Sequence, residues 1–265
     1  MTETIPETDN VVPKVSIQPP SGRNNFLFSV VILLTAIFAF LGAQVLGPIM
    51  VAIVGYSFGS NQHTLTRLID SNTYVRFATI LLIEVITVWL VSLFLKRRKQ
   101  TFASIGLGRK PQFSDLRTGL LTYGSYFLLY LVIVTAVSAS GLINTQQPQQ
   151  LGFTQTHGVE LLFVFFSLVL LPPIAEEILF RGYIYMGLRK RLSPYTAGAI
   201  TSVLFSIAHL EFGSGVGLNY AAALDTFILS CVLVYITEKT KSLWPAMVVH
   251  ATKNLIAFLA LFVIK

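Results

Sequence analysis

Charged residues are scarce in this chain, and cysteine is almost absent. Charged side chains make up 12% of the 265 residues and hydrophobic ones 54%, whereas a soluble globular domain carries about 25% charged residues. The single cysteine, Cys231, has no partner for an internal disulfide. The composition therefore excludes a disulfide-stapled scaffold and a soluble globular fold, and it indicates a protein of the lipid bilayer.

The chain also lacks an apolar segment at its start. Residues 1–25 are polar and contain four prolines, which is not the pattern of a secretory signal peptide. We expect them to form a flexible cytoplasmic tail. The net charge of +7 is spread mostly over short loops between apolar segments. That distribution is an orientation signal, so no nucleic acid partner is expected.

Seven apolar stretches are long enough, or nearly so, to cross a bilayer, which takes roughly 17–25 residues each. They are Phe26–Val54, Phe77–Leu95, Leu116–Val137, Leu161–Leu188, Tyr195–Leu210, Val216–Ile236 and Leu243–Ile264. The predicted fold class is an all-α, polytopic helical membrane bundle of seven transmembrane helices without an internal repeat. An eighth span would arise if Gly42, Gly47 and Pro48 broke the first stretch.

The lysines and arginines predict the orientation of the bundle. With the N-terminus inside, fourteen of them fall on the inner side and three on the outer side, which is a strong positive-inside bias. The N-terminus is therefore predicted to be cytoplasmic, in the plasma membrane if the host is a prokaryote. Seven spans would place the C-terminus outside, and the glutamine-rich segment from Gly141 to His157 would be an outer loop.

Three polar patterns interrupt the apolar stretches of the C-terminal half. They are Glu176-Glu177-x-x-x-Arg181, Phe205-x-x-x-His209 and His250-x-x-x-Asn254. At a helical rise of about 1.5 Å per residue, they lie roughly 10–21 Å from the inner ends of their stretches. Ionisable groups at such depths are costly and are normally paired or functional. The overlapping depths therefore predict a single shared site.

The first pattern places two carboxylates beside one cation. Glu177 and Arg181 are four residues apart and can pair on one helix face, whereas Glu176 points about 100° away. Two carboxylates with one arginine leave a charge uncompensated in a low dielectric. A buried carboxylate beside a cation is suited to general-base catalysis.

The other two patterns supply imidazole and amide groups. His209 shares a helix face with Phe205, and a lone membrane histidine is most often an interhelical hydrogen-bond partner. His250 and Asn254 also share a face, so they can stabilise an oxyanion, or the histidine can hold a metal.

Two further features accompany these patterns. The Pro172-Pro173 pair precedes the glutamates and frees backbone carbonyls, including that of Leu168. Such breaks are tolerated in membranes where they face protein or a wet cavity. Lys253 lies at similar depth, and we expect it to pair with either Glu84 or Asp225.

The order of the three patterns resembles the CPBP family of intramembrane proteases, which includes the type II CAAX prenyl endopeptidases and bacteriocin-processing relatives. The resemblance covers about Leu161 to Ile264 and extends to Phe180-Arg181-Gly182-Tyr183 and Ser242-Leu243-Trp244-Pro245. We accordingly divide the chain into a tail (1–25), N-terminal transmembrane helices (26–140) and a catalytic transmembrane core (158–265).

The resemblance implies an intramembrane endopeptidase acting on membrane-associated peptide or protein substrates, such as prenylated CAAX-like proteins or leader peptides. Glu176 would activate water with the help of His209, while His250 and Asn254 would stabilise the oxyanion. Glu177 and Arg181 would position the catalytic helix, and Phe205 would support the site.

The family is often described as one of metalloproteases. Glu176, His209 and His250 are then candidate ligands of a divalent metal such as zinc, with Glu177 as the general base. The chain lacks the H-E-x-x-H pattern, which would fix two ligands and a base on one helix. We therefore favour glutamate-activated water and leave the use of a metal open.

Two other classes of function stay open. The first is a non-catalytic bacteriocin-immunity or scaffold membrane protein of the same fold, which would retain the site without cleaving. The second is a proton-coupled transporter, because Glu, His and Asp inside spans also form proton relays. Many transporters show repeat symmetry between their halves, and none is visible in this sequence.

Overall fold

The computed structural model describes residues 22–141, 153, 157–210 and 219–264. These residues form eight helices and a short 3₁₀ helix at Phe102–Ile105, and no strand occurs among them. The helices are α1 (Gly22–Ser57), α2 (Gln62–Ser71), α3 (Thr73–Arg97), α4 (Phe113–Ser140), α5 (Glu160–Leu188), α6 (Pro194–Ala208), α7 (Tyr220–Thr240) and α8 (Trp244–Val263). The predicted all-α fold is confirmed.

Six helices of the described ranges are long and apolar enough to cross a membrane. They are α1, α3, α4, α5, α7 and α8. Large apolar side chains are exposed along α1, α3 and α4, among them Leu34, Trp89 and Leu128. A soluble monomer rarely exposes apolar patches of this extent. The chain is therefore an integral, multi-pass membrane protein.

The predicted number of spans needs two corrections. The stretch Tyr195–Leu210 is the 15-residue helix α6, whose rise of about 22 Å falls short of a hydrocarbon core of about 30 Å. The prediction of an eighth span is wrong, because α1 runs unbroken through all three residues expected to break it. A side chain at Gly47 would start 2.6 Å from Ile83 of α3. This glycine therefore allows close helix packing.

Two predicted segments fall largely outside the described residues. Of the predicted tail, only residues 22–25 are described, and they already belong to α1. Most of the predicted outer loop between Gly141 and His157 also lies outside the described ranges. Both segments stay predictions.

Helix α5 lies at the centre of the bundle and contacts α1, α3, α6, α7 and α8. The largest fully buried side chains include Arg181, Tyr183 and Tyr185 of α5 and Phe205 of α6. Helix α8 also packs on α4 and α7, and α6 packs closely on α7. The helices that carry the three polar patterns are therefore held in the same core.

Helix α5 is irregular around the glutamates. It is π-helical over Phe166–Leu170 and again over Glu177–Tyr185, with an α-helical turn at Leu171–Glu176 between them. Prolines 172 and 173 lie in that turn, where each lacks the amide hydrogen that continues a helix. π-Helical turns are frequently found at functional sites. The two glutamates stand at the junction of the α- and π-helical segments.

Candidate functional site

The site forms where one turn of α5, the C-terminal end of α6 and the middle of α8 meet. Glu176 Oε2 lies 3.7 Å from His209 Nε2 and 3.8 Å from His250 Nε2. The Glu176 side chain is 19% exposed and that of His209 is 31% exposed, whereas His250 is buried at 5%. Glu176 Oε2 thus lies near both histidines, although the three side chains come from different segments of the sequence.

Glu177 is buried next to this cluster and joins two of the polar patterns. Its Oε1 accepts a hydrogen bond from Arg181 Nη1 at 3.1 Å and one from His250 Nδ1 at 2.8 Å. The side chains of Glu177 and Arg181 are 0% exposed. The predicted pairing on one helix face is confirmed. The contact with His250 was not predicted, because nothing in the spacing relates two residues 73 positions apart.

Phe205 provides an aromatic surface for the charged groups. The Arg181 guanidinium carbon lies 4.2 Å from the centre of its ring, within the range of a cation–π contact. The imidazole rings of His209 and His250 have centroids 4.4 and 5.8 Å from the same ring. Phe205 itself is fully buried. It therefore fixes the positions of all three groups and excludes water from one side of them.

The hydrogen bonds of the two histidines determine which ring nitrogens can accept a proton. His209 Nδ1 lies 2.7 Å from the carbonyl oxygen of Phe205, which can only accept, so the ring proton is on Nδ1. In the neutral ring, His209 Nε2 is then an acceptor that faces Glu176. His250 Nδ1 likewise donates to the Glu177 carboxylate. Its Nε2 accepts if the ring is neutral and donates if the ring is protonated.

Asn254 is attached to the neighbouring turn of α5. Its Nδ2 donates a 2.8 Å hydrogen bond to the carbonyl oxygen of Leu168, which Pro172 leaves without its usual helical donor. The predicted release of this carbonyl is thereby confirmed. An amide nitrogen has two hydrogens, so one donor of Asn254 remains after this bond. The structure does not bring Asn254 into direct contact with Glu176.

Several polar atoms at the centre of the site have no hydrogen-bond partner within the described part of the chain. They are Glu176 Oε2, Glu177 Oε2, Arg181 Nε and Arg181 Nη2, and each is almost fully buried. Buried polar groups in proteins are nearly always hydrogen-bonded. A concentration of unpaired atoms at one place is therefore typical of a site that receives a polar ligand or water.

The metal interpretation gains no support from this geometry. Among the described residues, no group of three or more His, Cys, Asp or Glu side chains is arranged to hold a metal ion. The hydrogen bonds of His250 Nδ1 and His209 Nδ1 leave both Nε2 atoms available and do not by themselves argue for or against a metal. The candidate ligands Glu176, His209 and His250 come near one another but do not form such a group, so we derive no step through a metal.

A second charged cluster lies one turn along α8. Lys253 Nζ is 2.8 Å from Asp225 Oδ2, and the other carboxylate oxygen accepts a hydrogen bond from the Tyr126 hydroxyl. A cavity of about 360 Å³ adjoins this cluster between α4, α7 and α8. Of the two predicted partners of Lys253, Asp225 is confirmed and Glu84 is wrong. Tyr126 was missed, since nothing in the sequence distinguishes it from Tyr123 and Tyr130 of the same apolar helix.

Glu84 instead lines a separate cavity between α3 and α5. This cavity has a volume of about 420 Å³ and reaches Ala175, the residue before Glu176. Apart from Glu84 and Ser92 its lining is apolar or aromatic, with Trp89 and Phe102. Glu84 and Glu176 are near enough to interact electrostatically. A third carboxylate therefore approaches the site from the side of α3.

Comparison with known proteins identifies the segment that carries the site. Residues 158–256 match the family model described as type II CAAX prenyl endopeptidase Rce1-like. The UPF0177 protein YxdF of Lactococcus lactis subsp. lactis (strain IL1403) is 26% identical over 131 residues, which are 49% of this chain and 66% of that protein. The chain thus spans just under two thirds of the length of that relative. No solved structure matches the chain. The resemblance derived from the three polar patterns is confirmed.

Proposed function

We propose that this protein is an intramembrane endopeptidase, because residues 158–256 match the family model described as type II CAAX prenyl endopeptidase Rce1-like. It hydrolyses peptide bonds of membrane-associated substrates with a water molecule activated by Glu176 and His209. The observation that carries the proposal is the approach of Glu176 Oε2 to the Nε2 atoms of both histidines, at 3.7 and 3.8 Å.

The first step is removal of a proton from water. Glu176 Oε2 and His209 Nε2 are two acceptors set at a spacing that one water molecule can bridge, because it donates two hydrogen bonds of about 2.8 Å. The water oxygen attacks the scissile carbonyl carbon as its proton passes to the carboxylate. The same proton is later delivered to the nitrogen of the leaving amine, so the carboxylate is regenerated.

The second requirement is stabilisation of the tetrahedral oxyanion. The unused amide hydrogen of Asn254 is one donor for it. Nε2 of His250 becomes a second donor when the ring carries two protons, because Nδ1 already donates to Glu177.

The proposed substrates carry an apolar group that remains in the membrane. An apolar cavity of about 340 Å³ opens between α1, α5 and α6, lined by Phe40, Phe180 and Ala208 among others. The last of its lining residues, Ala208, directly precedes His209 in the sequence. A prenyl chain or the apolar part of a leader peptide bound in this cavity would therefore bring an adjacent peptide bond near the site. We also propose that the basic end of the bundle, and with it the N-terminus, is cytoplasmic.

The test is cleavage of fluorogenic peptides, with and without a prenyl group, by the purified full-length protein in nanodiscs. We expect Glu176→Gln to lower the turnover at least about 100-fold, the usual size of a general-base contribution. Glu160→Gln makes the same chemical change at the start of the same helix, away from the site, and is the matched control. It should retain wild-type turnover.

Two outcomes would contradict the proposal. Equal cleavage by wild type and Glu176→Gln would remove Glu176 from the reaction. Peptide binding by both proteins without any cleavage would favour the non-catalytic immunity or scaffold function. The same assay is repeated after treatment with a chelator and again after zinc is added back. Loss of turnover with the chelator and its recovery with zinc would support the metal interpretation.

A further inference from the structure

We infer that three cations at the basic end of the bundle bind the phosphate group of an anionic phospholipid. They are Arg98, which follows α3, and Lys190 and Arg191, which follow α5. We call them the basic cluster. The basic end is the end at which α1 begins and α3 and α5 end. This site is separate from the cluster around Glu176 and does not depend on the proposed hydrolysis.

Aromatic rings hold the arginines of the basic cluster in place. The guanidinium carbons of Arg98 and Arg191 lie 5.3 and 5.5 Å from the centre of the Phe28 ring. Arg98 is also 5.8 Å from the ring of Tyr183. Contact with a ring face leaves the N–H groups at the edge of a guanidinium free to donate, and these N–H groups match the geometry of a phosphate.

The basic cluster has no counter-charge in the described part of the chain. No carboxylate there forms an ion pair with any of its three members. Arg98 Nη1 is buried and has no hydrogen-bond acceptor among the described residues, which is costly for a charged donor. Arg189, the next residue to the cluster, is by contrast paired with Glu238 at 3.0 Å. The nearby carboxylate of Glu238 is therefore engaged by Arg189 and Lys241 and by no member of the cluster.

The cations of the basic cluster also repel one another. Partial desolvation, together with the nearby charge of Arg98, lowers the pKa of Lys190 below its ordinary value. An anion placed between these two side chains would relieve the repulsion and give the buried Nη1 of Arg98 an acceptor. A negatively charged group with several acceptor oxygens, such as a phosphate, would supply both the counter-charge and the acceptor.

The position of the basic cluster favours a phospholipid as the source of that phosphate. It lies at the ends of membrane-spanning helices, where lipid headgroups are found, and basic pockets between such helices bind anionic headgroups. The first turns of α1 expose Phe26 and Leu27 beside Phe28, with 68% and 51% of their surface accessible. These apolar side chains offer a surface for the acyl chains of a lipid whose headgroup is on the cluster.

The experiment is native mass spectrometry of the full-length protein with increasing phosphatidylglycerol, and with phosphatidylcholine and glycerol phosphate in parallel. We expect Arg98→Gln to weaken phosphatidylglycerol binding roughly tenfold. Arg97→Gln removes the same charge from an exposed neighbour outside the cluster and should stay within about twofold of wild type. Lys190→Gln, at an exposed position, should weaken binding severalfold and covers the case in which Arg98→Gln does not fold.

Three results would overturn the inference. Equal weakening by the Arg97 and Arg98 variants would indicate diffuse surface charge. Equal binding of phosphatidylcholine and phosphatidylglycerol would mean that net negative charge is not recognised, or that an anionic part of the chain already neutralises the cluster. Glycerol phosphate binding as tightly as the lipid would identify a soluble phosphate ester as the ligand.

Discussion

Replacing Glu177 with glutamine should destabilise the protein far more than the same replacement at Glu176. Glu177 is 0% exposed and accepts hydrogen bonds from Arg181 and His250, at 3.1 and 2.8 Å. Glutamine preserves the shape but leaves the fully buried Arg181 without a counter-charge. Removing one partner of a buried ion pair costs about 3–5 kcal/mol. Glu176 has no partner nearer than 3.7 Å in the described ranges, so its replacement should cost less than about 1 kcal/mol.

The assay is the free energy of unfolding in mixed detergent micelles, measured by denaturant titration and followed by tryptophan fluorescence. The double variant Glu177→Gln with Arg181→Met removes both charges and should recover most of the lost stability, because an apolar replacement of a whole buried pair is often neutral. A Glu177→Gln variant as stable as wild type would refute the reasoning. So would a double variant that is destabilised by the sum of the two single changes.

Two other predictions concern helix packing. In a double-mutant cycle, Asp225→Asn and Lys253→Met should show a coupling free energy of about 0.5–3 kcal/mol, because the two side chains pair at 2.8 Å. Purely additive changes in the free energy of unfolding would contradict the pairing. Gly47→Ala should lower the free energy of unfolding by about 1–3 kcal/mol, because its new carbon would lie 2.6 Å from Ile83. Gly124→Ala, where no atom lies within 4 Å of the new carbon, is the control. It should raise the free energy of unfolding by up to about 1 kcal/mol in the same titration.

The sequence predicts the long helices and the depth of the polar residues along them well, because both depend on local properties. Long apolar stretches locate the six long helices, and a fixed rise per residue brings Glu176, His209 and His250 to one level. Pairing of Glu177 with Arg181 follows from their spacing on one helix. The release of the Leu168 carbonyl likewise follows from the chemistry of proline.

Contacts between distant segments could not be predicted from the sequence. The bonds from His250 to Glu177 and from Tyr126 to Asp225 join residues 73 and 99 positions apart, and neither periodicity nor propensity specifies such pairs. The π-helical geometry of α5 and the termination of α6 at Ala208 also depend on packing against neighbouring helices. Hydropathy does not report this packing, so the sequence predicted a membrane span where the structure has the short helix α6.

The early end of α6 links membrane geometry to acid–base chemistry. A helix that stops inside a bilayer leaves carbonyls without intrahelical donors, and the His209 amide turns to Ser206 instead of reaching Phe205. The Phe205 carbonyl is then free for the His209 imidazole, which keeps its proton on Nδ1. One more turn of helix would return that carbonyl to the backbone and release the proton to either nitrogen. The length of a membrane helix here selects a tautomer.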